Sequence, residues 1–200
     1  MKTWTDAAED AVVSGTLACA ATAATAAWRG ARDGNSAIAP INATSHVLWG
    51  PSAADVHVAD LKHTASGLLI NEGAGVFWAA LYERLFGADA DKGNAARALV
   101  GGGIVAAIAY VTDYHLVPKR LTPGWEERIS GRSLALVYAA LALSLPLRGL
   151  LRHWSRRRYA SKAPPIVEGR YVRRRASAAR RYTVRSNSAD LDASTRGTVR

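Results

Sequence analysis

Four stretches of the chain carry almost no charge, and they limit what it can fold into more than any other feature. Apart from Glu72 they contain no acidic or basic side chain, and they cover residues 11–28, 64–82, 98–112 and 133–147. Each approaches the ~20 residues that cross a bilayer core, and flanking aromatic and basic side chains extend that reach. This pattern predicts an all-α, four-helix transmembrane bundle. A soluble bundle with buried helices is the alternative.

The predicted domain organisation separates an apolar body from a polar end. Residues 152–200 are rich in arginine and serine and nearly lack large aliphatic side chains. Such a segment cannot bury enough apolar surface to fold, so we expect a disordered basic C-terminal tail. Residues 1–151 form the transmembrane domain, with spans at about 11–28, 64–84, 97–117 and 132–151.

Charge is distributed unevenly along the chain, and this predicts its orientation. Residues 148–200 carry a net charge of about +12 and residues 1–147 about −2, which together give the +10 of the whole chain. The positive-inside rule places the tail in the cytoplasm, and four spans then return the N-terminus to the same side. We therefore expect a multi-pass protein of the bacterial inner (cytoplasmic) membrane, with both termini cytoplasmic and loops 30–62 and 118–130 outside.

The first span is the least apolar, so a cleaved signal peptide is an alternative to a retained helix. Against cleavage, Lys2 is outweighed by Asp6, Glu9 and Asp10, whereas a signal peptide begins with positive charge. Cys19 in this span is the only cysteine, which excludes an intrachain disulfide and a cysteine-based zinc site.

Small and aromatic residues predict how the spans pack and where they end. Small side chains let helix backbones approach closely in lipid. One such stripe on the first span is formed by Gly15, Cys19, Thr22 and Ala26. Aromatic residues near span ends are typical of an interfacial belt. The residues assigned to that belt are Trp28, Trp78, Tyr82, Tyr110, Tyr114, Trp125 and Trp154.

The polar intramembrane candidates are Asn71, Glu72, Asp113 and His115. Glu72 would lie roughly 12 Å into the second span, at 1.5 Å per residue, where a charge usually faces the bundle interior or a water-filled cavity. It is interpreted either as a proton or cation site or as a neutral group in an interhelical hydrogen bond. Asp113 and His115 end the third span.

A further acidic residue lies close to the cytoplasmic end of the second span. Glu83 lies near the end of this span, and Arg84 is its neighbour in the chain. We expect Glu83 to pair with Arg84 or with a cation from a loop.

The outer-loop candidates are Asn42, His46, Trp49 and His63. Asn42, His46 and Trp49 would share one face of a short helix at helical spacing. The histidines, with Asp113, are side chains that bind metals, but their spacing matches no metal-binding motif. We therefore assign no metal, no cofactor and no catalytic residue.

A set of short motifs runs through the same region. Pro-Ile-Asn at 40–42 is followed by Ser-His at 45–46, Trp-Gly at 49–50, His-Thr at 63–64 and Phe-Trp-Ala to Tyr-Glu across 77–83. The combination resembles an uncharacterised family of small bacterial multi-span inner-membrane proteins. The resemblance covers roughly residues 35–85, implies an inner-membrane location and brings no known activity.

The basic residues of the tail predict a negatively charged binding partner. Anionic lipid attracts a juxtamembrane polybasic segment by about 1 kcal/mol per basic residue. Nucleic acid is a less favoured partner of the tail. The chain could also associate with further copies of itself as a homo-oligomer. The lipid-contacting candidates are Arg156, Arg157, Arg158, Arg173, Arg174 and Arg175.

Three functions fit these observations. The first is an integral membrane protein with a non-enzymatic, structural or interaction-mediating role. The second is a small transporter or proton/cation-coupled carrier that uses Glu72 and Asp113. The third is a membrane-embedded, metal-dependent enzyme built from His46, His63, Asp113 and His115.

Overall fold

The regular elements are helices throughout the part of the chain that the structure, a computed structural model, describes, which is residues 1–34 and 36–162. Helix α1 begins after Thr3, whose hydroxyl accepts a hydrogen bond from the Asp6 backbone N–H at 3.1 Å. The α-helices are α1 (Trp4–Asp33), α2 (Ala39–Ala43), α3 (His46–Trp49), α4 (Ser66–Tyr82), α5 (Ala88–Asp91), α6 (Ala95–Val111), α7 (Gly131–Ser144) and α8 (Leu147–Lys162).

Three turns of wider, π-helical geometry extend these helices. Leu61–Ala65 leads into α4, Glu83–Gly87 joins α4 to α5, and Thr112–Leu116 ends α6. π-helical turns are frequent at functional sites. Each of the three carries polar residues singled out from the sequence.

Within the described residues, three helices are long and apolar enough to cross a membrane: Trp4–Asp33, Ala95–Leu116 and Gly131–Tyr159. This confirms a helical protein with membrane-length segments. The second predicted span, 64–84, coincides with α4, which is not among these three.

Close backbone contacts between small residues hold the long helices together. A Cβ added to Gly15 of α1 would lie 2.6 Å from the Cα of Val76, and one added to Gly75 of α4 would lie 2.9 Å from the Gly15 carbonyl oxygen. Gly102 of α6 approaches the Ala142 carbonyl of α7 in the same way. The predicted small-residue stripe of α1 is buried, as expected for such packing.

The C-terminal helix runs further than the sequence predicts. Residues 1–158 form one compact unit, and α8 continues past Leu151 to Lys162. The side chain of Leu150 is buried, and Gly149 lies close to Ala90, so the start of α8 is packed and not free. The rest of the predicted tail, residues 163–200, lies outside the described residues.

Candidate functional site

A cavity of about 80 Å³ lies among α1, α4, the end of α6 and α7, below the loop that follows α6. A water molecule needs roughly 10–15 Å³ of such space, so the cavity has room for several waters or for one small ligand. Its polar lining residues are Thr22, Thr44, Asn71, Asp113, Thr122 and Tyr138.

Asp113 supplies the carboxylate of this cavity, from the π-helical turn at the end of α6. The Tyr138 hydroxyl donates to Asp113 Oδ2 at 2.6 Å. Just beyond, Glu126 accepts from the Tyr114 hydroxyl at 3.2 Å and from the Thr122 hydroxyl at 2.8 Å. At the loop end of the helices, each of two carboxylates thus accepts a hydrogen bond from a tyrosine hydroxyl.

Aromatic rings form much of the cavity wall. Trp78 and Trp125 both line it and are only 8% and 6% exposed, and the ring of Tyr138 lies 6.3 Å from that of Trp125. The prediction that Trp78 and Trp125 belong to an interfacial belt is therefore wrong. Both rings belong to the main buried cluster, which Trp125 enters from the loop after α6 and Trp78 from α4.

Glu72 does not reach this cavity. It is half-buried at the edge of the α1–α4 contact, where its Oε1 accepts from the Thr16 hydroxyl at 2.7 Å. Its neighbour Asn71 does line the cavity and donates to the Thr22 hydroxyl at 3.3 Å and to Cys19 Sγ at 3.2 Å. The structure therefore brings Asn71, and not Glu72, to the same cavity as Asp113.

Asn42 is the centre of a hydrogen-bonded connection between the outer-loop helices and the segment that enters α4. Its buried side chain donates to the carbonyls of Val56 and Val58 at 2.8 and 3.0 Å. Its Oδ1 accepts from the Thr64 hydroxyl at 2.6 Å. The Asn of Pro-Ile-Asn and the Thr of His-Thr are thus direct partners.

His63 belongs to the cap of the helix that leads into α4. Asp60 accepts from the backbone N–H of His63 at 2.5 Å, and the His63 ring Nδ1 lies 2.7 Å from Asp60 Oδ2. The hydrogen bonds to the His63 side chain and backbone, followed by that to the Thr64 backbone N–H, lower the pKa of Asp60. This carboxylate therefore stays ionised as a helix cap.

The remaining histidine and tryptophan candidates each contact a different part of the chain. His46 Nε2 lies 3.2 Å from the Lys119 carbonyl, and Trp49 Nε1 donates to the Ser66 hydroxyl at 3.0 Å. His115 is exposed, with its ring 5.9 Å from that of Tyr110. Over the described residues, no group of three or more His, Cys, Asp or Glu side chains is arranged to hold a metal ion.

Sequence reasoning missed an ion cluster at the opposite end of the helices. Glu83 is 1% exposed and accepts from Lys2 Nζ at 2.5 Å, from Arg148 Nε at 3.0 Å and from the Ser14 hydroxyl at 2.5 Å. The expected pairing with Arg84 is wrong, because the π-helical turn points Glu83 inward while Arg84 lies 5.5 Å from the Trp4 ring.

Two further carboxylates complete this cluster. Lys2 Nζ lies 2.7 Å from both Asp10 and Asp91, and Arg148 Nη2 lies 2.8 Å from Asp10 and 3.3 Å from Asp91. Burial lowers the pKa of Lys2, but the three carboxylates outweigh this, and its pKa is raised. The only signal in the sequence is that Arg148 is the first charge after the last apolar stretch.

The lipid-contacting candidates are described only in part. Arg156, Arg157 and Arg158 are exposed on α8. Arg173, Arg174 and Arg175 lie outside the described residues.

Comparisons with protein families, with curated proteins and with solved structures gave no match. The family resemblance across residues 35–85 therefore stays a prediction. The roles of its motif residues are argued from their contacts alone.

Proposed function

We propose that this chain is an integral membrane protein of the inner membrane whose role is structural or interaction-mediating rather than enzymatic. The observation that supports it most is the set of contacts made by polar residues that were singled out from the sequence. Asn42, Thr64, Asn71 and Glu83 are hydrogen-bonded or ion-paired to other parts of the fold, as groups that hold helices together are.

The proposed topology has four spans, with α4 as the second, and both termini in the cytoplasm. In this arrangement α8 emerges at the cytoplasmic surface with Arg152, Arg156 and Arg157 exposed. Anionic headgroups are the nearest partners for such a face, and we propose that they bind there.

This lipid interaction is tested by the thermal stability of the full-length protein in neutral detergent, with and without added anionic lipid. A ligand that binds the folded state raises the midpoint. We expect anionic lipid to raise it for the wild type and for an Arg120→Gln/Arg132→Gln control on the other side. The Arg156→Gln/Arg157→Gln variant should lose most of this rise in the unfolding midpoint, because each basic residue near the surface contributes about 1 kcal/mol to lipid binding. An equal shift in both double variants would contradict the proposal.

A second candidate function is a small cation-coupled carrier, now centred on Asp113 alone. The cavity lined by Asp113 is the observation that favours it. Glu72 drops out of this candidate because it lies outside the cavity, held by Thr16.

A further inference from the structure

We propose that the Asp113 cavity binds a small organic cation of the alkylammonium class. The proposal deepens the second candidate function and rests on it for the cavity's role. It assigns a ligand to a space that the packing of the helices leaves open. The charge, the lining side chains and the size of the cavity each indicate the class of ligand.

The charge balance around the cavity differs from that of the ion cluster at the other end of the helices. There, the buried Glu83 and the half-buried Asp10 and Asp91 share Lys2 and Arg148 as basic partners. Within the described part of the chain, Asp113 has no basic partner, and its hydrogen-bond donor is the neutral Tyr138 hydroxyl.

The neighbouring acidic group follows the same pattern. Across the residues that the structure covers, the partners of Glu126 are likewise neutral hydroxyls, those of Tyr114 and Thr122. Glu126 is exposed, whereas Asp113 is partly buried. A partly buried carboxylate without a counter-charge is costly, and a cation bound at Asp113 would supply that charge.

The walls favour an organic cation over a bare metal ion. His, Cys, Asp and Glu side chains are the usual protein ligands of metal ions, and among the described residues no group of three or more of them is arranged to hold one. Trp78, Trp125 and Tyr138 instead present aromatic rings, and a cation near the face of such a ring is attracted by about 0.5–2 kcal/mol. Carboxylate plus aromatic wall is the chemistry that recognises ammonium groups.

Size and access agree with a small ligand. The cavity has about 80 Å³ of free space, and Thr44 and Thr122 add hydroxyls to its rim. Thr122 also lines a second, outer groove of about 560 Å³, together with Glu126. The groove therefore adjoins the cavity at Thr122, with Asp113 lining the cavity and Glu126 lining the groove.

The test is equilibrium binding to the purified full-length protein in detergent, followed by tryptophan fluorescence and calorimetry. The probes are methylammonium and tetramethylammonium chloride, with tert-butanol as an uncharged probe of similar size and sodium chloride as the salt control. We expect saturable binding of at least one ammonium ion with a Kd on the order of 1 mM, as suits so few atoms. Tert-butanol and sodium should bind at least tenfold more weakly.

Three variants identify the site. Asp113→Asn should weaken ammonium binding roughly tenfold or more, because hydrogen bonds and ion pairs to a charged group are the strong ones. Trp125→Leu should weaken it severalfold, while Trp125→Phe keeps most of it. Glu72→Gln is the matched carboxylate control and should bind as the wild type does. If Asp113→Asn fails to fold, the comparison of Trp125→Leu with Trp125→Phe still tests the proposed site.

Three outcomes would overturn the proposal: no saturable ammonium binding, equal binding of tert-butanol, or unchanged binding in both Asp113→Asn and Trp125→Leu. Tighter binding of sodium than of either ammonium ion would also overturn it. Flux into vesicles is measured separately. Binding without flux would reject the carrier and keep the site, and a proton-linked flux without ammonium binding would reject the site and keep the carrier.

Discussion

At the scale of single residues, the contribution of a carboxylate to stability depends on its contacts more than on its position within a predicted span. Glu83 is almost completely buried, and Ser14, Lys2 and Arg148 all contact its two oxygens. Glu72 is half-buried, and its contacts are with neutral groups, the Thr16 hydroxyl and the Cys19 thiol. Breaking a buried ion pair costs about 3–5 kcal/mol because the remaining charges lose their partner, whereas one ordinary hydrogen bond is worth about 1 kcal/mol.

We expect Glu83→Gln to lower the free energy of unfolding by about 3 kcal/mol, and Glu72→Gln by about 1 kcal/mol or less. The reason is that Gln at position 83 leaves Lys2 and Arg148 short of a counter-charge. Reversible unfolding of both variants in mixed micelles measures the difference. Similar losses in the two variants would show that Glu83 is not the group that holds the cluster together.

At the scale of helices, the contact between α1 and α4 depends on the absence of side chains at two facing glycines. A Cβ added to Gly15 would collide with the backbone of Val76, and one added to Gly75 would collide with the Gly15 carbonyl oxygen. Gly73 lies in the same helix as Gly75, yet an added Cβ there has no neighbour within 4 Å.

Gly75→Ala should therefore destabilise the protein by about 1–3 kcal/mol, because the added methyl group forces the two helices apart. Gly73→Ala is the matched control and should be neutral or stabilising, since alanine favours a helix by up to about 1 kcal/mol over glycine. Thermal unfolding in one detergent compares them. The close contact would be unimportant if the two variants unfolded at the same temperature.

The helices could be predicted from the sequence because apolar runs and small-residue stripes are local properties. The cavity could not, because Trp78, Asp113 and Tyr138 come from three different helices and meet only through packing. The ion cluster was missed for the same reason: Lys2 and Arg148 lie at opposite ends of the described chain. Asn42 was found as a candidate, but its partner Thr64 could not be inferred from spacing alone.

At the scale of the whole molecule, the proposed orientation predicts which surfaces reagents reach from outside the cell. Native Cys19 is buried, so it gives little background to thiol labelling. We expect Ser52→Cys, in the predicted outer loop, to react with a membrane-impermeant maleimide in intact cells. Ser155→Cys, on exposed α8, should react only after the membrane is permeabilised. The reverse pattern would overturn the orientation, and labelling of both positions in intact cells would overturn the even number of spans.

The ion cluster also has a consequence for the order in which the protein matures during synthesis. Lys2 and Asp10 leave the ribosome first, Glu83 and Asp91 follow, and Arg148 comes last. Until Arg148 arrives, three carboxylates share Lys2 as their nearby cation among the cluster residues, so an unfinished chain holds excess negative charge between its helices. Completion of the last long helix neutralises that charge and joins the beginning of the chain to its end. We therefore expect a chain that ends before Arg148 to be less stable than the full-length protein.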